Sequence, residues 1–63
     1  MDKFVIHSIY DGFLADRDQI VFTANLKGAR KFKSAADAKV MSEKLEKDGK
    51  LVPKGWHILG MFD

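Results

Sequence analysis

Residues 34–49 read SAADAKVMSEKLEKDG and carry the signature of one amphipathic helix. Ser34 stands three residues before Asp37, a spacing that resembles a capping box, in which the serine hydroxyl accepts a hydrogen bond from a first-turn amide. Gly49 follows at the point where a left-handed residue ends a helix. Apolar residues recur between these ends at intervals of three and four, which predicts a helix with one face in a core. That stripe consists of Ala38, Met41 and Leu45, widened by Ala35 and Val40.

The segment before the helix predicts an antiparallel meander. Residues 3–10 (KFVIHSIY) are rich in β-branched and aromatic side chains, as strands are. Asp11 and Gly12 then suit a type I′ turn, which returns the chain into a second strand, FLA. Residues 19–24 (QIVFTA) read as a third strand after a polar break.

After the helix, residues 56–62 (WHILGMF) predict a closing strand. The element order is therefore ββ(β)αβ. We expect an α+β fold in which a small antiparallel sheet of three or four strands packs one face against a single amphipathic helix. A chain of 63 residues allows one compact domain, residues 1–63.

The first and last predicted strands are apolar on both of their alternating sides, whereas one helix covers only one face of a sheet. The second face is then covered by residues 25–30 (NLKGAR) or buried against another subunit, because a large exposed apolar patch is unusual on a monomer. The chain has no cysteine, so disulfides cannot support so small a core. We therefore expect a homo-oligomer, a dimer or higher.

The positive excess of the chain lies in residues 25–33 (NLKGARKFK), which hold four cations and no acid. The residues before this segment sum to −2 and those after it sum to zero. Such a segment attracts an acidic partner, either nucleic acid or a carboxylate-rich protein surface. Strand alternation directs Phe32 toward the core and its two neighbouring lysines to the other side. The candidate binding residues are Lys27, Arg30, Lys31 and Lys33.

Other combinations of reactive side chains are weaker. His7 and His57 lie side by side if the first and last strands pair, as in a metal or acid–base pair, but no third ligand or orienting carboxylate has a matching spacing. We therefore interpret both as structural residues and expect no metal and no cofactor. The sequence contains no serine elbow, thiol nucleophile or phosphate-cradling glycine loop, and we expect no enzymatic activity and no catalytic residue. It also contains no signal-peptide pattern and no long apolar stretch, which predicts a cytoplasmic protein without a membrane contact.

Three segments, IHSIYDGFLAD, FTANLKGARKFKSAADA and GWHIL, resemble a pattern in short accessory proteins of tailed bacteriophages and prophages. In that pattern an extended segment with a D-G turn precedes an A-x-x-F-x-S-x-x-x-A element, which leads into the helix. Its positions here are Ala29, Phe32, Ser34 and Ala38. The resemblance implies a small protein of phage type that binds and modulates a host protein, and it assigns no functional residues.

The first functional expectation is therefore a non-enzymatic binding protein that occupies an acidic host protein. The first alternative is a nucleic-acid-binding module that uses the basic segment 27–33. The second alternative is an oligomer that sequesters a small molecule or nucleotide between subunits, with Trp56 or Tyr10 as a stacking surface, although Trp56 is more typical of a core residue.

Overall fold

A hairpin near the start of the chain organises the sheet. In the computed structural model, which describes residues 3–61, β1 (Lys3–Ser8) turns back into β2 (Gly12–Leu14). The third strand, β3 (Phe22–Thr23), pairs with β2, and β4 (Trp56–Met61) pairs with the other side of β1. The strand order is β3-β2-β1-β4 with every pair antiparallel. The α+β class and the ββ(β)αβ order are confirmed.

The hairpin loop has three residues, so the type I′ prediction is wrong. Ser8 pairs with Gly12, and Gly12 has φ +97°. Asp11 has no positive φ, although a type I′ turn would require one there. The loop is closed instead by the buried Ser8 hydroxyl, which accepts hydrogen bonds from the amides of Tyr10 at 3.2 Å and Asp11 at 3.3 Å.

Residues 25–33 begin with a short helical turn and end in an extended stretch that crosses the sheet. A 3-10 helix spans Leu26–Gly28, and the Asn25 side chain caps it by accepting a hydrogen bond from the Lys27 amide at 2.9 Å. The chain then runs along the sheet, with Ala29 bridged to Ala15 and Phe32 bridged to Phe4. The predicted strand at 19–24 is shorter than expected, because only the two residues of β3 pair with β2.

The helix α1 (Ala35–Lys47) begins where the sequence predicts. The Ser34 side chain accepts a hydrogen bond from the Asp37 amide at 3.1 Å, so Ser34 is its N-cap. At the other end Gly49 has φ +79°, and the Lys50 amide bonds to the Leu45 carbonyl at 2.8 Å. This is the pattern of a Schellman motif, which satisfies carbonyls that the helix leaves free.

The core lies between α1 and one face of the sheet. Its buried members are Ile6, Leu14, Ala38, Leu45 and Leu51, and half-buried side chains surround them, namely Phe4, Phe22, Phe32, Met41, Trp56 and Ile58.

The predicted widening of the helix stripe is wrong. Val40 is 67% exposed and Ala35 is also exposed. The buried position beside Ala38 is Ser42 instead, which donates to the Ala38 carbonyl at 2.8 Å. A hydroxyl that bonds within its own helix can face a core, because its donor is satisfied there.

Candidate functional site

The face of the sheet that α1 does not cover carries the most distinctive side chains. Strand residues alternate between faces. Ile6 packs into the core, so its neighbours Val5 and His7 lie on the opposite side. Their partners across the strands share that side. We call this side the open face, although three of its positions, Val5, Ala15 and Ala29, are buried. Its strand and bridge positions are Lys3, Val5, His7, Phe13, Ala15, Thr23, Ala29, His57, Leu59 and Met61.

Three rings form a row across the open face. His7 is the direct cross-strand partner of both Phe13 on β2 and His57 on β4. The ring centroids of His7 lie 4.7 Å from Phe13 and 4.9 Å from His57. His57 is exposed, and the other two rings are half-buried. The side-by-side placement of the two histidines, which depended on pairing of the first and last strands, is confirmed.

Phe32 is a core residue, as the sequence predicts. It exchanges both backbone hydrogen bonds with Phe4, at 3.0 and 2.7 Å, and packs against the buried cluster. Alternation around Phe32 directs Lys31 and Lys33 toward the side of the open face. Lys33 is exposed, whereas Lys31 is half-buried.

The Arg30 side chain contacts the loop between β2 and β3 and does not lie with Lys31 and Lys33. Its guanidinium donates to the Arg17 carbonyl at 2.6 Å, and its Nε lies 3.7 Å from the Asp16 carboxylate. Asp16 is largely exposed, so this ion pair contributes little to stability. The cation still fixes the chain between β2 and β3 through the carbonyl. Arg30 is therefore paired locally, and the structure does not bring the four predicted cations together as one free patch.

Lys31 also has an internal role. Its Nζ donates to the carbonyls of Leu26 at 3.1 Å and Ala29 at 2.7 Å, so it closes the end of the 3-10 helix. Lys27 lies on that 3-10 helix and is exposed. Of the four sequence candidates, Lys27 and Lys33 are thus the most accessible to a partner.

The stacking residues proposed from the sequence, Trp56 and Tyr10, lie outside the open face and differ in accessibility. The Trp56 indole donates to the Glu46 carboxylate at 2.6 Å and packs against the core, so it is a structural residue. Tyr10 is 68% exposed at the tip of the hairpin, and its ring lies over Gly55. A shallow depression is lined by residues 16–19, which contribute two acids and one arginine.

Residues 3–61 contain no group of three or more side chains that could hold a metal ion. Within the same residues no helix has the length and apolar character needed to cross a bilayer. Comparisons of the chain with protein-family models, with curated proteins and with solved structures found no match. The candidate site is therefore defined by the geometry of the open face.

Sequence reasoning did not single out Phe13 or Lys3 as functional residues. One signal could have found them. Alternation along β1 places Lys3 and His7 on one face, and pairing across the hairpin adds Phe13 to that face. That signal becomes useful only when the loop length is known, because a shift of one residue exchanges the two faces of a strand.

Proposed function

We propose that the protein is a non-enzymatic binding domain that binds single-stranded nucleic acid on the open face. The observation that carries the proposal is the row of three rings, Phe13, His7 and His57, on adjacent strands. Aromatic side chains on an exposed sheet face stack with unpaired bases, and this mode of binding tolerates any base because every base has a π-face.

The charges near the ring row support the same proposal. Lys3 is exposed on the open face, and Lys33 is exposed on the same side. The strand and bridge positions that define the open face include no acid. The Asp16 carboxylate lies 3.7 Å from Arg30 Nε and is paired with that cation. Phosphates of a bound strand would therefore meet cations without a competing carboxylate on that face.

Single-stranded nucleic acid fits this surface better than a duplex. A sheet with rings in its centre needs splayed, unstacked bases, and duplex bases are stacked inside the helix. The described residues contain one α-helix, and its apolar stripe packs into the core. The geometry therefore favours stacking on the sheet over insertion of a helix into a groove.

Fluorescence anisotropy with labelled single-stranded DNA and RNA tests the proposal. The test variant is Lys3→Glu with Lys33→Glu, and the control variant is Lys39→Glu with Lys47→Glu on the exposed side of α1. Both change the net charge equally. We expect the test variant to weaken binding at least tenfold more than the control, because its lysines lie on the side of the open face and those of the control lie on α1.

A second variant tests stacking separately from charge. Phe13→Leu keeps an apolar side chain at a half-buried position and removes the ring. Stacking of one base contributes about 1–3 kcal/mol, so we expect a loss of affinity of about fivefold or more. Absence of binding to either oligonucleotide at low salt would exclude the proposed function, as would equal losses in the two charge variants.

Binding of an acidic host protein, as in phage-type accessory proteins, is the second candidate. It is supported by the 3-10 helix, where the exposed Leu26 and Lys27 place an apolar and a cationic side chain next to each other. This candidate predicts no oligonucleotide binding. It also predicts that Lys27→Glu, and not Lys3→Glu, abolishes binding to an acidic protein.

We further propose that two copies of the chain associate through β4. This strand is at the edge of the sheet, and its residues WHILGM contain no charge and no proline. Charged residues and prolines usually protect natural edge strands, because the free backbone groups of an edge otherwise pair with another strand. Antiparallel pairing of β4 with its own copy would satisfy these groups symmetrically.

A further inference from the structure

The two histidines of the ring row have a spacing that suits a metal ion. His7 Nδ1 lies 3.1 Å from His57 Nε2. Two imidazole nitrogens that bind one ion, each at about 2.0–2.1 Å, lie about 2.9–3.4 Å apart when their bonds to the ion form an angle of 90–110°. The observed distance falls within that interval.

The backbone holds this pair in place. His7 and His57 are direct partners, and theirs is one of six residue pairs between β1 and β4. The Phe13 ring lies on the other side of His7, at 4.7 Å and with an interplanar angle of 54°, and restricts its rotation. The exposure of His57 leaves an entry path from solvent. The two nitrogens are therefore held at a spacing that one ion can bridge.

Two neutral imidazoles can bind one ion without releasing a proton. In the metal-free state one of the two facing nitrogens carries the proton of their hydrogen bond, and the other accepts it. For both to bind a metal, that ring moves its proton to its outer nitrogen. Each neutral imidazole then keeps one N–H and presents one lone pair to the ion.

From this geometry we propose that His7 and His57 bind a divalent transition-metal ion, of which Zn²⁺ is the test case, as a two-histidine chelate on the open face. Imidazole favours zinc, copper and nickel over magnesium and calcium, which prefer oxygen ligands. Because no third metal-binding side chain joins the pair among residues 3–61, water or an external ligand completes the coordination. The proposal does not require nucleic-acid binding, although the ion would use two of the three rings of the ring row.

The experiment titrates ZnCl₂ into the protein alone and follows the imidazole ¹⁵N resonances by NMR. We expect the His7 Nδ1 and His57 Nε2 resonances to move together and saturate at one equivalent, and EDTA to reverse the change. MgCl₂ at the same concentration leaves them unchanged. This measurement needs no substitution, so it does not depend on the folding of a variant.

Calorimetry on variants provides the second measurement. His57→Gln and His7→Gln each lower zinc affinity at least tenfold, because one remaining imidazole is not a chelate, and the double variant binds no more tightly than either. The control Asp16→Asn with Asp18→Asn, in the acidic depression, leaves the affinity unchanged. Unchanged ring resonances at millimolar zinc would overturn the proposal, as would full affinity in His57→Gln. Neither result depends on an oligonucleotide, so failure here is distinguishable from failure of the proposed function.

Discussion

At the scale of single residues, Gly12 has the strictest requirement in the hairpin. Its φ of +97° is a conformation that other residues adopt at a cost, and a Cβ there would lie 2.7 Å from the Thr23 carbonyl oxygen. Gly49 also has a positive φ, of +79°, but nothing lies within 4 Å of its Cβ position. Substitution of Gly49 therefore tests backbone strain alone, and substitution of Gly12 tests strain together with a steric clash.

We expect Gly12→Ala to destabilise the domain more than Gly49→Ala. Gly49→Ala should cost about 1–2 kcal/mol, the price of a left-handed alanine. Gly12→Ala should cost at least 1 kcal/mol more, since β3 must also move away from the hairpin. Urea unfolding followed by circular dichroism measures both values. Equal losses would show that β3 moves aside without cost.

The predictions for single residues fail where side-chain packing, and not hydrophobic periodicity, determines which residue is buried. Val40 is apolar and near the helical stripe, yet it is exposed, and Ser42 is buried in its stead. Periodicity locates the direction of a helix face only to within about one position. A serine that can bond to a carbonyl of its own helix is equally acceptable at that boundary, and the sequence does not distinguish the two.

At the scale of elements, the N-cap of α1 should matter more than its buried hydroxyl. Ser34→Ala removes the acceptor for the Asp37 amide and should cost about 1 kcal/mol. Ser42→Ala in the same helix should be close to neutral. Its hydroxyl donates to the Ala38 carbonyl, and alanine has the higher helix propensity. Thermal unfolding of the two variants provides the comparison. A larger loss for Ser42→Ala would contradict this reading of the two contacts.

The helix and the hairpin were predictable because their signals are local. Caps, the apolar stripe and a turn glycine all lie within a few residues of the element they define. The length of β3 is different, because it depends on its partner. At Ala15 the amide still donates to the Val21 carbonyl at 2.9 Å, but the Ala15 carbonyl accepts from the Arg17 amide at 3.0 Å, so the pairing of β2 with β3 ends there. In the sequence, the open face is indicated only by the apolar residues on both sides of the first and last strands. The ring row could not be predicted, because it depends on the register of three strands.

At the scale of the whole molecule, the proposed association of two copies depends on the direction of the backbone groups on β4. Phe4 directs both of its backbone groups toward Phe32, away from β4. Alternation along an antiparallel pair then directs the N–H groups of Trp56, Ile58 and Gly60 away from β1. These groups form the free edge of the sheet within the described residues.

We expect a concentration-dependent equilibrium between monomer and dimer in sedimentation experiments. Gly60→Pro removes one outward N–H and should keep the protein monomeric, because proline cannot donate to a ladder. Gly60→Ala retains that N–H and is the matched control, which should dimerise as the original chain does. A monomeric original chain at every concentration, or a Gly60→Pro dimer of unchanged strength, would contradict association through β4.

The pairing of β1 with β4 also sets the timing of folding. Lys3 is the partner of Met61, so the longest strand pair joins segments that a ribosome produces at the opposite limits of the described chain. The hairpin and α1 must wait with their apolar sides exposed until β4 has left the exit tunnel. Contacts so distant in sequence slow folding and prolong exposure to aggregation. Synthesis speed and chaperone access would therefore influence the yield of this small protein more than its modest length suggests.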